Sequence, residues 1–326
     1  MLLLIIINIS LGSVRIPMES VLQSLTTLTN ENESWNYIIL QYRVPKALTA
    51  VLVGSGLSIG GLLMQTLFRN PLAGPYVLGI SSGASLGVAL LIMGSSILGG
   101  FFSLWAQSHW LISIAASAGS FLVLLAVMIV SRQVKNTMSI LIIGLMFSSI
   151  TAAVISVLAY FSSAESLQRY MFWGFGSLGN LSWQELGLFF SLFVLGAALL
   201  FPVIKPLNSL LLGENYAKSI GINIQRTKNL ILIATSLFTG VITAFAGPIA
   251  FIGLAAPHIT KLLFNTSDHK IIVPASALIG SIIMLTSDTI AQLPHSQYTL
   301  PINAITTLFG APVVIWLLLR KKKMVL

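Results

Sequence analysis

Cysteine is absent from this chain, and acidic residues nearly so: Asp and Glu number eight among 326 residues. The first absence removes disulfides and thiolate metal sites. The second leaves few carboxylates for acid–base chemistry or proton relay. Charged residues of both signs amount to 8%, against roughly 25% in a soluble domain. No Gly is followed directly by Lys, so the G-x-x-x-x-G-K-[ST] loop cannot occur and the chain has no P-loop of its own for ATP. What is present is apolar. Hydrophobic residues make up 56%, and such a composition describes a surface that faces lipid.

A helix needs about 20 apolar residues to cross a hydrocarbon core of about 30 Å, and a charge at its centre is costly. Windows that meet this condition are 1–14, 47–68, 75–98, 111–131, 138–161, 186–204, 229–246, 249–264, 271–291 and 300–319. Residues 229–260 carry no Asp, Glu, Lys or Arg and exceed one span; Gly247-Pro248 divides them, since Pro lacks the N–H that continues a helix. The expectation is an all-α integral membrane protein, with about ten transmembrane helices in a single domain over 1–326.

The net charge of +9 suggests nucleic acid only until the cations are located. With the tail Arg320-Lys321-Lys322-Lys323 on the cytoplasmic side, nine more follow it there: Arg69, Arg132, Lys135, Lys205, Lys218, Arg226, Lys228, Lys261 and Lys270. Arg15, Arg43, Lys46 and Arg169 fall outside. This is the positive-inside bias of an inner-membrane protein with a cytoplasmic C-terminus, and it accounts for the charge without nucleic acid. Met1 opens directly into MLLLIIINISLG without the basic lead or cleavage site of a secretory signal. We read it as a first span whose cytoplasmic lead is missing.

Three polar interruptions stand out: 15–46 and 162–185 outside, and 205–228 inside. The last, KPLNSLLLGENYAKSIGINIQRTK, is punctuated by Gly213 and Gly221 and predicts one or two short helices, with Asn208 as a cap. Within 47–68, Gly54 and Ser58, and Gly56 and Gly60, are small residues four apart that let helices approach closely inside one bundle.

Other function classes leave weaker traces. Gly79-Ile80-Ser81-Ser82-Gly83 matches G-x-S-x-G, but a serine nucleophile needs a base and a strand–turn–helix elbow. His258 is the only histidine well inside an apolar region, and it lacks the H-E-x-x-H zinc spacing. His269, beside Asp268, reads as a loop contact. An ion-coupled carrier would hold acids at depth; only Asp288 lies there, near the outer end of its span, where a lone Asp caps or pairs. Sodium coupling through carbonyls stays open. If energy is instead supplied by a partner, 205–228 is the docking surface for it.

Several stretches then carry a resemblance. "YRVPKALTAVLVGSGLSIGGLLMQTLFRNPLAGPYVLGISSGASLG", "PLNSLLLGENYAKSIGI", "AGPIAFIGLAAPHITKLL", "SDHKIIVPASALIGS" and "TLPINAITTLFGAPVVIWLLL" resemble, in order and spacing, the FecCD-type permeases of ABC importers for iron-siderophores, heme and cobalamin. "FGAPVVIWLLLR" and "YFSSAESLQRYMFW" are most similar to the cobalamin permeases. The resemblance implies a type II importer subunit of ten helices that pairs with a second permease subunit. It also implies two ATP-binding cassette subunits inside, a substrate-binding protein outside, and no cofactor or metal in this chain.

It further implies roles for single residues. Leu207, Asn208, Leu212, Gly213, Glu214, Ala217 and Gly221 correspond to the ATPase-coupling helices. Arg43 and Lys46 correspond to the outer pair that meets binding-protein carboxylates, and Asn136, Thr137 and Met138 to the cytoplasmic gate. Residues 164–176 correspond to a short helix at the outer vestibule. Arg69, Asn70 and Pro71 reverse the chain before Gly79, Ser81, Ser82 and Gly83 enter the wall of the translocation path. Three positions depart from the pattern: Thr299 for a Glu, Asn303 for a Gly, and Gln292 where cobalamin-type relatives hold a docking Arg. They imply one charged docking contact fewer.

Overall fold

The computed structural model describes residues 1–12, 14–27, 32–94, 108–134, 137–179, 181–293 and 298–319. The described residues are helical, with no strand among them. The elements are α1 (Leu2–Ser10), α2 (Met18–Thr27), α3 (Glu33–Ile38), a π turn (Ile39–Arg43) that runs into α4 (Val44–Phe68), a 3-10 turn (Pro75–Leu78), α5 (Ile80–Ile92), α6 (His109–Gln133) and α7 (Thr137–Tyr160). Then come α8 (Ala164–Gly174), α9 (Trp183–Ala198), α10 (Ile204–Leu212), α11 (Glu214–Ser219), α12 (Ile224–Ala246), α13 (Ile252–Phe264), α14 (His269–Ala291) and α15 (Ile302–Leu319). Each of the ten apolar windows overlaps most of one of these helices. Among the described residues, five segments have the length and apolarity to cross a membrane, including Glu33–Phe68, Ile224–Ala246 and His269–Ala291; α5, α9, α13 and α15 are shorter apolar helices.

Helix α4 is the hub. Its apolar window is 89% buried, whereas that of Met138–Tyr160 is 17% buried. A helix that is apolar all round, with a negligible amphipathic bias, belongs inside a bundle. Small residues make this possible. A Cβ added at Gly54 would lie 2.3 Å from the Gly280 carbonyl oxygen, and one added at Gly280 would lie 2.3 Å from that of Gly54. Here α4 and α14 touch backbone to backbone, so the small-residue pattern is used within the chain. Gly61 meets the Gly253 carbonyl oxygen of α13 in the same way, at 1.7 Å.

Two apolar clusters fill the two ends of the bundle. One joins Leu63 and Leu67 of α4 with Leu207, Leu210, Ala217, Ile272 and Val273. The other joins Ala50 and Val53 with Ile9, Phe189, Ile242, Leu285 and Ile302.

Several local expectations are modified. The first helix ends at Ser10 rather than running to 14, and Ser10 Oγ turns to the Ile16 carbonyl. Helix α4 ends at Phe68, and Arg69 takes the left-handed cap conformation (φ 44°). The Asn70 N–H then bonds the Gln65 carbonyl at 3.1 Å, so the reversal begins one residue before the Asn-Pro step. The 205–228 segment holds the two short helices α10 and α11, separated by Gly213 at φ 122°. Asn208 does not cap: it lies inside α10, whose N-cap is Val203.

The Gly247-Pro248 break leaves residues 247–251 without helix inside an otherwise buried region. Irregular backbone at such depth must find partners within the protein. The Tyr76 hydroxyl donates to the Ile249 carbonyl at 2.7 Å and accepts from the Ile249 N–H at 3.2 Å. Asn303 Oδ1 accepts from the Ala250 N–H at 3.1 Å. Glycine at 303 could not supply that acceptor, which gives this departure from the family pattern a structural use.

Candidate functional site: two ends of one bundle

At one end, residues read separately from the sequence meet around a cavity of about 610 Å³. It is lined by Leu67, Phe68 and Arg69 from the end of α4, Met138 from the start of α7, and Leu212 to Tyr216 from the α10–α11 corner. Gly213 sits closely under Arg69: a Cβ there would be 3.3 Å from Arg69 Nη2. Leu212 is 68% exposed, whereas Leu207 and Ala217 are fully buried in the adjoining core. One face of the α10–α11 pair is thus bound to the bundle while its corner projects. Glu214 pairs with Lys228 of α12 at 3.0 Å, and Gly221 (φ 86°) closes the turn that follows α11. Met138 is exposed, Thr137 opens α7, and Asn136 lies outside the described residues.

Sequence reasoning missed what lies behind α10. The Asn208 amide Nδ2 donates to Asp268 Oδ1 at 2.7 Å. Its Oδ1 accepts from the His269 backbone N–H at 2.9 Å and from His269 Nδ1 at 2.6 Å. His269, 2% exposed, reaches Thr66 Oγ1 of α4 with Nε2 at 2.9 Å. Asp268 is the N-cap of α14 and accepts from the Lys270 N–H at 3.0 Å. The Asn208 hydrogen bond holds the Asp268 carboxyl below its ordinary value, aided by the Lys270 N–H. His269 is therefore not in a loop, as the sequence suggested, but in the first turn of α14, buried and bonded to side chains of α10 and α4. The signal was the S-D-H step ahead of an apolar run, a capping pattern.

At the other end, Arg43 and Lys46 are already partnered. Lys46 Nζ lies 3.0 Å from Asp288 Oδ1, with the carboxylate side chain 4% exposed. Asp288 Oδ2 accepts from Asn8 Nδ2 at 2.9 Å and from Gln292 Nε2 at 2.8 Å. Asp288 thus pairs, as its lone position suggested, and Gln292 turns inward to it. Arg43 Nη1 donates to the carbonyls of Ile9 at 2.6 Å and Ser10 at 3.0 Å, and Nη2 donates to that of Val14. A cavity of about 270 Å³ opens beside them, lined by Asn8, Tyr42, Arg43, Lys46, Gln292 and Thr299 among others.

Between the two ends, Gly79 (φ 75°) starts α5, and a Cβ there would lie 2.9 Å from the Gly144 carbonyl oxygen of α7. A Cβ at Gly83 would lie 2.5 Å from the Gly119 carbonyl oxygen of α6. Ser81 and Ser82 are part-exposed. His258 Nε2 instead meets the Pro71 carbonyl at 2.8 Å, and no hydrogen bond joins it to Ser81 among the described residues. No nucleophile–base pair is assembled there. A third cavity of about 480 Å³ lies beneath α8, lined by His109, Arg169, Trp173 and Glu185 among others. Burial in this region raises the Tyr170 hydroxyl above its ordinary value.

The fold and these two ends define a multi-pass helical membrane protein of the transport type, with a projecting helical corner at one end and a charge-clamped face at the other. The chain belongs to the FecCD transport family, which it matches over residues 1–320. It is 36% identical over 293 residues to the vitamin B12 import system permease protein BtuC of Salmonella paratyphi A, covering 87% of this chain and 84% of that one. The same figures hold for BtuC of Salmonella typhi. Among solved structures it is similar to an inward-facing metal-chelate type ABC transporter, with 27% identity, a TM-score of 0.84, and coverage of 98% and 96% of the two chains. It also shares its fold with PsaBC from Streptococcus pneumoniae (TM-score 0.57, 18% identity, 84% and 90% covered).

Proposed function

We propose that this chain is the permease subunit of a binding-protein-dependent ABC importer that carries a metal chelate (ferric siderophore, heme or cobalamin) into the cytoplasm. The observation that carries the reading is the cavity where Arg69, Met138 and the Leu212–Glu214 corner meet, in a chain whose length matches a transport family throughout. A permease without a P-loop needs mechanical input, and a projecting corner bound to the bundle by its other face is a means to receive it. In this reading all ten apolar helices span the bilayer, the α10–α11 corner and the C-terminus are cytoplasmic, and the chain catalyses no bond chemistry. ATP belongs to two separate cassette subunits, and a second copy of this chain completes the path. Residues 136–138 form the inner gate, and Gly79 to Gly83 contribute to a close-packed, weakly polar wall.

Arg43 and Lys46 mark the face for the external binding protein. Exposed ion pairs contribute only about 0–1 kcal/mol each, so their part is steering and register. Arg43 is held by neutral carbonyls and Lys46 by the Asp288 carboxylate, so the two present a fixed surface whose net positive charge comes from Arg43.

The test is reconstitution of the chain in vesicles with its cassette subunit and binding protein, followed by uptake of labelled cobalamin in competition with ferric chelates. Uptake that needs all three components is expected. Uptake that proceeds without the cassette subunit, under an ion gradient alone, overturns the reading. With the complete system, Glu214→Trp together with Ala217→Trp is expected to abolish uptake while membrane insertion persists.

A further inference from the structure

We propose that Asn208 of α10 acts as a cap delivered in trans to α14, and that it fastens the coupling corner to the α4–α14 pair so that the three move as one body. This rests on the reading of α10–α11 as the ATPase-coupling segment, and extends it to residues that transmit the movement. The first turn of any helix leaves N–H groups without intrahelical partners, and α14 fills two of these places from different elements. Its own Asp268 takes the Lys270 N–H, while Asn208 takes the His269 N–H from outside.

Every polar atom of the Asn208 side chain has a defined task. Nδ2 faces a carboxylate, which fixes it as the nitrogen. The oxygen then accepts twice from His269, so the His269 proton sits on Nδ1. Nε2 is left as the acceptor for the Thr66 hydroxyl, within the last turn of α4. Four residues on α10, α14 and α4 thus form one continuous chain of hydrogen bonds.

The other end of α10 is fixed too. Gly213, where α10 ends, lies against the Arg69 guanidinium that follows α4. Leu207 and Leu210 on the buried face pack in the same core as Leu67 and Ile272. An ångström-scale shift of α10 alone would strip α14 of an external cap and leave the Asp268 carboxylate and the His269 ring short of partners. Moving α4 and α14 with it breaks nothing here. The side chains act as positioning residues, through geometry, with no contact to ATP or cargo.

The clamp has a specific chemical grammar that a swap can test in the complete transporter. Asn208→Asp places two carboxylates together, and the number of substrate molecules moved per ATP hydrolysed is expected to fall roughly tenfold, the scale of a lost charge-assisted hydrogen bond. Adding Asp268→Asn restores one carboxylate facing one amide, at the cost of the Lys270 N–H cap, because in the parent both bonds fall on the same Asp268 oxygen. The double variant is expected to recover about half of the lost ratio, as coupled neighbours do. A merely structural role would show stability loss with an unchanged ratio.

The absence of cysteine permits a second readout. Spin labels at Lys205→Cys and Lys270→Cys are expected to keep one sharp distance with and without nucleotide in the parent, and a broadened one in Asn208→Asp. If Asn208→Asp keeps the parent ratio and the sharp distance, or if the swap rescues neither, the clamp is overturned. If the cassette subunit does not co-purify with the parent chain, the coupling-segment reading falls first, and this inference with it.

Discussion

The two ends of the α4–α14 pair are fastened by opposite chemistry. At the end that carries Lys46 the fastening is ionic: Lys46 against Asp288, with Asn8 and Gln292 completing the carboxylate. At the opposite end, Thr66, His269 and Asn208 are linked by hydrogen bonds between uncharged groups, with the one carboxylate, Asp268, at the rim. The difference shows what each end must do. A buried ion pair holds one register firmly and loses heavily if one partner is removed. A chain of directional hydrogen bonds, all with defined donors and acceptors, transmits orientation from one helix to the next. Between the ends, Gly54 and Gly280 set the separation to which both fastenings are fitted.

The most damaging way to break this comparison is to force the helices apart in the middle. Gly280→Leu puts a side chain where the Gly54 carbonyl already lies at 2.3 Å from Cβ. It is expected to destabilise by about 3 kcal/mol or more, at the upper end for overpacking, and to loosen both fastenings together; thermal unfolding in detergent measures it. Asp288→Ala should come next. Breaking a fully buried pair costs about 3–5 kcal/mol, and because Lys46 retains 22% exposure we expect about 2–3 kcal/mol, read by the same melts.

Asn208→Leu sharpens the hydrogen-bonded end. The Asp268 carboxyl is held below its ordinary 3.8 mainly by Asn208. A carboxyl that binds its proton less tightly when folded stabilises the fold above its unfolded value, and that contribution is lost as pH falls through the folded one. The parent should therefore lose Tm as pH drops from 5 towards 3. Asn208→Leu should begin lower and lose less, so the two curves converge. Parallel curves would show that Asn208 does not govern Asp268. The smallest effect belongs to Lys46→Met combined with Asp288→Leu. Apolar replacement of both members of a buried pair is often nearly neutral, so Tm should return close to the parent value, and because one charge of each sign is removed together, the rate of binding-protein association should change little.

Much of the fold was legible because it depends on local properties. Each apolar window fell on a helix, Gly247-Pro248 located the break, and Gly213 separated the two helices of the α10–α11 corner. The positions that resisted were those whose partners lie far along the chain. Asn208 looked like a cap for its own helix; it serves one that begins 61 residues later. Gln292 and Asn303 looked like departures of uncertain consequence. One completes the partners of Asp288, and the other supplies an acceptor to the broken helix. Tyr76 drew no notice, because an aromatic residue in an apolar window is ordinary, yet its hydroxyl satisfies both backbone groups of Ile249.

By itself the sequence determined the class of molecule. Hydropathy, the scarcity of acids and the placement of cations act through transfer free energies that each segment feels alone, and they require a helical membrane bundle. The tertiary structure decided which polar groups meet. Ser and Thr side chains such as Thr49, Ser236 and Thr243 bond carbonyls of their own helix. Asn8, Asn208, His269, Tyr76 and Asn303 instead find partners elsewhere in the bundle, and the close packing of small residues along α4 helps bring those partners within reach.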